Sequence, residues 1–325
     1  MAVRRCGAAA EVHRCDMRYQ LSLFDGKTWE IEACRDAGLE VMAWVEEFAA
    51  HLGLKTCSEK VGRCLRFGRI EKDSHSDGFP RFVPCPPGDI AAQGWRFSGV
   101  AGLVFFEHPE VRDLLCGIMS GNRSLVLRQF RHALLPVFDE VIKAGGLIVH
   151  GALLERRGSG VLLMGKSGAG KTTCCQRLPS NWRILGDDLA LVVKDRNGHF
   201  LAHPLPTWSA VDSGRNKWPC RMNESVPLEA LFVLKQSLID SVGKLRGAEA
   251  AVAVKQASDE ALMPLDIAHS RSGIPGRKEL FQNAMDLSKA ISTFQLRVSL
   301  TGRFWEKIEE VLGRIAEQCR GIESA

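Results

Sequence analysis

The stretch that decides the fold is Gly165-Lys166-Ser167-Gly168-Ala169-Gly170-Lys171-Thr172. It fits the pattern G-x-x-x-x-G-K-[ST] at every fixed position. An apolar run at residues 160–164 precedes it and has the length of a short, buried strand. The residues after it have a helical pattern through about Leu178. The order strand, glycine-rich loop, helix predicts an α/β domain.

The same eight residues predict a loop that binds the phosphates of a nucleotide. Its glycines let the backbone wrap around the β-phosphate with several N–H groups pointing inward. Lys171 would reach the β- and γ-phosphates, the hydroxyl of Thr172 can bind Mg²⁺, and Thr173 extends the binding segment. Such a loop serves GTPases, ATPases and small-molecule kinases alike, so it does not choose a reaction.

Two acidic residues and one histidine lie close to the loop in sequence. Asp187-Asp188 follow a predicted strand at residues 183–185. One carboxylate of such a pair can bind Mg²⁺, and the other can accept the proton of an attacking hydroxyl. The alternative is an exposed turn before the next strand. His150 lies in an apolar strand, where a histidine is more often a satisfied core residue than a functional one.

The chain changes its pattern near residue 145, which predicts two domains. Residues 146–325 alternate strands and helices, as an α/β domain does. We expect strands at 147–154, 160–164, 183–185, 189–194, 199–202, 230–234 and 295–300, and a final helix at 303–319.

Residues 17–145 predict a smaller α+β domain that follows a flexible tail at residues 1–16. Asp25-Gly26 between two alternating runs predicts a hairpin over Met17–Ala33. The remaining expectations are a helix at 36–52, a loop-rich region at 66–97, a strand at 100–106, and helices at 109–120 and 124–144.

Composition excludes several classes of protein. The net charge is only +5, and aromatic residues make up 7%, so nucleic acid is not an expected partner. No apolar run approaches the roughly 18–20 residues that a spanning helix needs, so we expect no membrane segment. The first residues lack the apolar centre of a signal peptide. We therefore expect a cytoplasmic protein whose 11 cysteines are reduced.

The residues described so far resemble the HPr kinase/phosphorylase family. That family places a His-Gly strand, a phosphate loop and a strand ending in Asp-Asp in the order seen here. The resemblance looks closer still to the HPr-kinase-related proteins of peptide-maturation cassettes, notably the SynChlorMet cassette protein ScmC. It rests on HGALLERRGSGVLLMGKSGAGKTTCCQRLPSNWRILGDD (150–188) and AHPLPTWSA (202–210), with LSLFDGKTWEIEA (21–33) similar to the start of that group.

The resemblance implies a P-loop domain like those of HPr kinase and PEP carboxykinase, and a kinase that uses ATP and Mg²⁺. Lys171 would hold the phosphates, and Thr172 and Asp188 would bind the metal. Asp187 would be the general base, and His150 would contact the transferring phosphate or position the hydroxyl. The acceptor would be a Ser or Thr of a precursor peptide or protein. Since HPr kinase is a hexamer, the resemblance leaves open that this protein is a homo-oligomer.

Two departures from the family pattern limit what the resemblance implies. The E-[IV]-R-G signature is absent, and PLPTWSA and VDSGRNKW lie roughly where it should be. This puts the phosphorylase reaction and HPr as a substrate in doubt. The family also uses a later arginine near the phosphate, for which Arg215, Arg271 and Arg277 are candidates. Arg215 is favoured because it lies in a Ser-Gly-Arg-Asn turn soon after PLPTWSA.

Three functional hypotheses follow. The first is an ATP-dependent Ser/Thr kinase that acts on a precursor peptide, with the N-terminal domain recognising the peptide by adding a strand to the 18–33 hairpin. The second is an ATP-binding sensor or scaffold for a maturation enzyme, without catalysis. The third is a small-molecule kinase. The segment around Trp208 either lines a groove for the acceptor or packs as a rigid loop.

Overall fold

A computed structural model describes residues 17–60, 62–72, 80–83, 95–208, 211, 218–266 and 277–323. The predicted tail at 1–16 lies outside these residues. The described residues group into two units, one ending at Val137 and the other beginning at Phe138. Each unit contains one eight-stranded sheet with helices, so the α/β and α+β character predicted from sequence is confirmed at the level of a mixed fold.

The first unit opens with the predicted hairpin. Its described elements are β1 Arg18–Leu23, β2 Lys27–Ala33, α1 Leu39–Leu52, β3 Lys55–Cys57, β4 Arg63–Lys72, β5 Pro80–Val83, β6 Arg96–Val100, β7 Leu103–His108, β8 Val111–Ile118 and α2 Arg123–Ala133. Helix α3, Leu135–Lys143, crosses into the second unit. The sheet order is β3-β1-β2-β4-β8-β7-β6, with β5 beside β4.

The hairpin and the first helix are confirmed, and their local chemistry explains them. Gly26 has φ 84°, a conformation that favours glycine, and Asp25 Oδ1 accepts a hydrogen bond from the Lys27 N–H at 2.8 Å. Helix α1 buries Trp44 and Phe48 on one face.

Three expectations for this unit were wrong, and a fourth was shifted. The helix predicted at 109–120 is strand β8, and the helix predicted at 124–144 is divided into α2 and α3 at Leu134, two residues before Pro136. The strand predicted at 100–106 is confirmed as β7 with its start shifted to Leu103, because Ala101 and Gly102 both have positive φ and form a turn after β6. The loop-rich region contains the end of β4 and all of β5.

The hairpin is not a free edge. Strand β2 pairs with β4 on its outer side, and β1 pairs with β3 over Arg18–Gln20. The pairing with β3 covers only the first half of β1, and the expectation that a peptide adds a strand to this hairpin stays a prediction.

The second unit contains the glycine-rich loop. Its remaining elements are β9 Leu147–Arg156, β10 Ser159–Met164, α4 Lys171–Arg177, β11 Arg183–Gly186, β12 Leu189–Lys194, β13 Phe200–Pro204, β14 Val226–Gln236, β15 Ser241–Lys244, α5 Gly247–Asp266, α6 Arg277–Ala290, β16 Ser292–Val298 and α7 Phe304–Glu323. The strands and the final helix predicted for this region are confirmed, with ends shifted by a few residues.

The sheet of the second unit is strongly curved. Its order is β10-β9-β12-β13-β14-β16-β15, with β11 beside β9, and an additional β10–β14 pairing closes five of the strands into a ring. Strand β14 makes this possible because its first residues pair with β13 and its residues from Leu228 onward pair with β10. Strands β10, β14 and β16 are parallel, so their carboxyl ends lie along one edge.

The core beneath that edge is apolar and closed. Leu163, Phe232 and Leu296 come from the three parallel strands, and Phe304 and Ile308 of α7 pack against the same cluster. Burying each such side chain contributes about 1.5–3 kcal/mol. The strand ends are therefore held on a rigid support.

Among the described residues, no helix is both long enough and apolar enough to cross a membrane.

Candidate functional site

The loop between β10 and α4 has the conformation that its glycines permit. Gly168 and Gly170 have φ values of 80° and 103°, and a side chain on either would meet no neighbouring atom within 4 Å. Gly165 is different, because a Cβ there would lie 3.1 Å from the Cβ of Ala169. The loop is closed by the Ala169 N–H, which donates to the Lys166 carbonyl at 3.0 Å. The open space above Gly168 and Gly170 leaves that face of the loop accessible.

Lys171 lies under the loop rather than in solvent. Its side chain is buried, with 7% of the residue exposed, and Nζ donates to the Gly165 carbonyl at 2.6 Å and to the Lys166 carbonyl at 3.4 Å. Burial lowers the pKa of Lys171, while the carboxylates of Asp188, Glu260 and Asp187 act in the opposite direction. The ammonium group is thus held by backbone carbonyls and surrounded by acidic groups.

Asp187 accepts hydrogen bonds from two hydroxyl groups, one on each carboxylate oxygen. Thr172 Oγ1 donates to Oδ2 at 3.2 Å, and Thr207 Oγ1 donates to Oδ1 at 2.7 Å. Thr172 is the predicted metal ligand of the loop, and Thr207 follows the end of β13. The two threonines therefore fix the Asp187 carboxylate beside the first turn of α4.

Asp188 faces a different partner. Its Oδ1 lies 3.3 Å from His150 Nε2, and its backbone carbonyl accepts from the Gly151 N–H at 2.9 Å. The other ring nitrogen of His150, Nδ1, lies 2.8 Å from Glu260 Oε2. His150 is thus an imidazole between two carboxylates. The hydrogen bond to Asp188 raises the pKa of His150, burial lowers it, and Glu260 raises it further.

The structure brings most of the predicted residues together. The loop, Lys171, Thr172, Asp187, Asp188 and His150 form one connected group, and Thr173 is exposed on α4. Arg215 and Arg271 lie outside the described residues, and so does the side chain of Arg277. Trp208 is buried, which favours a packed loop over a groove-lining segment.

Three residues of this site were missed by the sequence analysis. Glu260 lies on α5, Thr207 follows β13, and Gln236 ends β14, where its Nε2 donates to the Gly168 carbonyl at 3.1 Å. For Thr207 the sequence offered two signals, since it lies in AHPLPTWSA, on which the resemblance partly rests, and PLPTWSA lies roughly where the absent family signature should be.

A family model described as SynChlorMet cassette protein ScmC matches residues 114–313. The chain belongs to the ScmC family. The match begins within β8, ends within α7, and includes every residue of the site described above. This confirms the group that the sequence resembled most closely. No curated protein matches the chain.

Proposed function

We propose that this ScmC-family protein is an ATP-dependent kinase with an HPr-kinase-like P-loop fold, which phosphorylates a Ser or Thr hydroxyl of a precursor peptide. One observation carries the proposal. A glycine-rich loop, a buried lysine, a threonine hydroxyl and two differently partnered carboxylates converge where β10 and β11 end. Phosphoryl transfer needs positioning and charge neutralisation, and these are the groups that supply them.

The residues fit a nucleoside triphosphate with Mg²⁺. The accessible face at Gly168 and Gly170 leaves room for phosphate oxygens, and Lys171 lies directly beneath the loop. Thr172 and Asp187 offer hard oxygen ligands of the kind that Mg²⁺ prefers. When bound, ATP would supply the phosphoryl group, and Mg²⁺ would neutralise part of the charge of the phosphates.

The hydrogen bonds favour exchanging the roles that the resemblance gave to the two aspartates. Asp187 is bonded to the hydroxyl of Thr172, which suits a carboxylate of the metal site. Asp188 is paired with His150 and stands apart from the threonines, which suits the group that accepts the proton of the attacking hydroxyl. In the reaction, the acceptor oxygen bonds to the γ-phosphorus, the bond to the β,γ-bridging oxygen breaks, and the hydroxyl proton passes to Asp188.

Peptide modification is the setting that the resemblance to proteins of peptide-maturation cassettes implies, and the match to a SynChlorMet cassette protein supports it. A SynChlorMet cassette protein would act beside other maturation proteins, and a precursor peptide is therefore the first acceptor to test. A hydroxyl-bearing peptide also suits a site whose proposed base is a carboxylate.

The test is incubation of the purified protein with MgATP and synthetic peptides from neighbouring reading frames, read by intact mass. We expect one added phosphate on a Ser or Thr of one peptide. Lys171→Ala should abolish the addition. If calorimetry shows that the protein binds ATP but no peptide gains a phosphate, the kinase proposal is overturned. The alternative of a nucleotide-dependent scaffold then remains. Turnover that needs no peptide would point to a small-molecule acceptor.

A further inference from the structure

Glu260 is the one member of the site that comes from the long helix α5. It lies 110 residues from His150 in sequence, yet its Oε2 is 2.8 Å from His150 Nδ1. The side chains of both residues are mostly buried, with exposed fractions of 16% for His150 and 24% for Glu260. A contact of this length between a ring nitrogen and a carboxylate is a charge-assisted hydrogen bond.

Helix α5 does not need a glutamate here for packing. Val254, Ala257 and Ala261 are buried on the helix and supply its apolar face. The preceding acidic residue, Asp259, behaves as a solvated surface group, since its side chain is 54% exposed and pairs with Lys255 one turn earlier on the same helix. Glu260 is instead directed at a histidine of another element, at a desolvation cost that only a specific partner offsets.

We propose that Glu260 is a positioning residue, which fixes a proton on His150 Nδ1 and the plane of its ring so that Nε2 faces Asp188. This inference rests on the proposed kinase function for its catalytic consequence. A neutral imidazole has two tautomers, and a carboxylate at Nδ1 accepts only from the form protonated there. Asp188 is also an acceptor, so both contacts are satisfied when both ring nitrogens carry protons.

The charged groups around His150 are consistent with this arrangement. Asp188 follows β11, Glu260 comes from α5, and both favour a positive ring. Lys171 of α4 opposes it, since its ammonium group disfavours a second cation nearby. With one oxygen of Asp188 engaged by His150, the carboxylate is held in one orientation, and its second oxygen stays available to the hydroxyl proton.

The consequence is a chain of three groups, Glu260–His150–Asp188, in which the outer carboxylate acts through the ring. Among the described residues, the contact that joins Glu260 to the site is the one with His150, and its charge also acts on Lys171. Its loss should therefore change ATP affinity by no more than a few-fold and slow the transfer step, which separates it from Thr172 and Asp187.

The test compares Glu260→Gln with Asp259→Asn, its neighbour on the same helix, in full-length protein labelled with ¹⁵N-histidine. At one fixed pH, the wild type should show both His150 ring nitrogens protonated, with the resonance assigned by its loss in His150→Gln. Glu260→Gln should change the His150 nitrogen shifts, and Asp259→Asn should not. Unchanged shifts in Glu260→Gln would overturn the proposal.

Kinetics provide the second arm. Glu260→Gln should lower kcat about 10- to 100-fold, with KM for ATP within a few-fold of wild type. Glu260→Asp keeps the charge, should recover part of the rate, and serves in place of the glutamine variant if that variant does not fold. A kcat equal to wild type would count against positioning. If the wild type transfers no phosphate, the kinase proposal fails, while the nitrogen shifts still decide the role of Glu260.

Discussion

At the scale of single residues, the two adjacent aspartates differ in their partners. Asp187 is held by two threonine hydroxyls, and Asp188 by an imidazole. Neighbouring residues after a strand point in different directions, which gives one dipeptide two environments. The sequence alone could not assign the two roles, because it shows two identical side chains and does not show which residues contact each of them.

Replacing Asp188 by Asn should remove the proposed proton acceptor. We expect kcat for peptide phosphorylation to fall about 100- to 10,000-fold, with ATP affinity changed less than a few-fold. The matched variant is Asp187→Asn, which should instead raise the Mg²⁺ concentration needed for half-maximal activity. If Asp187→Asn abolishes transfer at saturating Mg²⁺ and Asp188→Asn does not, the roles are those that the family resemblance first implied.

Thr207 should be required for its hydroxyl rather than its shape. Thr207→Val removes the donor to Asp187 at nearly constant volume, and we expect the Mg²⁺ requirement to rise about 10-fold, the effect of roughly 1.5 kcal/mol for a hydrogen bond to a charged group. Thr207→Ser retains the donor and should stay near wild type. Mg²⁺ titrations of activity measure both, and equal values for the two variants would contradict the assignment.

At the scale of secondary structure, the close approach of β10 and β14 depends on Gly160. A Cβ there would lie 2.7 Å from the Pro227 carbonyl oxygen and 2.6 Å from a Val226 methyl group. We expect Gly160→Ala to lower the free energy of unfolding by about 1–3 kcal/mol, because backbone must move to admit the methyl group.

The control for Gly160 is Gly243 in β15, where a Cβ would meet nothing within 4 Å. Gly243→Ala should leave stability unchanged or slightly raised. Urea unfolding followed by tryptophan fluorescence measures both variants. Equal stabilities would show that the strand ring tolerates a wider spacing at this point.

Elements near the glycine-rich loop were predictable, because each short apolar run there is bounded by turn residues. Strand β8 was not, because VRDLLCGI is buried on both faces over its last five residues and lacks the alternation that marks a half-buried strand. Its parallel partner β4 decides its conformation, and that pairing lies more than 40 residues away in sequence. Glu260 and Thr207 escaped prediction for the same reason, since only the fold brings them to the loop.

At the scale of the whole molecule, the family match and the two units do not coincide. The match begins inside β8, takes in α2 of the first unit and leaves β1–β7 outside. The site itself belongs entirely to the second unit. Substitutions that change the proposed nucleotide binding and transfer should therefore lie in the second unit.

Global stability should depend on pH through His203, which is fully buried on β13 and donates from Nδ1 to the Met222 carbonyl at 2.8 Å. Burial lowers the pKa of His203 below the value of about 6.5 that a histidine has in the unfolded chain. Between these two pKa values the unfolded chain is protonated at this residue and the folded protein is not. This contribution to stability is complete above about pH 6.5 and is lost as the pH falls toward the folded pKa.

His203→Asn keeps a donor near Nδ1 and removes the titration. We expect the difference in unfolding free energy between wild type and variant to shrink as the pH is lowered from 7.5 to 5.5, by at most about 1.4 kcal/mol per pH unit. The pKa of His150 is raised, so its contribution to stability changes with pH in the opposite direction. That contribution cancels in the difference, because both proteins contain His150. Urea unfolding at several pH values gives the difference, and a constant difference would mean that folding does not shift the pKa of His203.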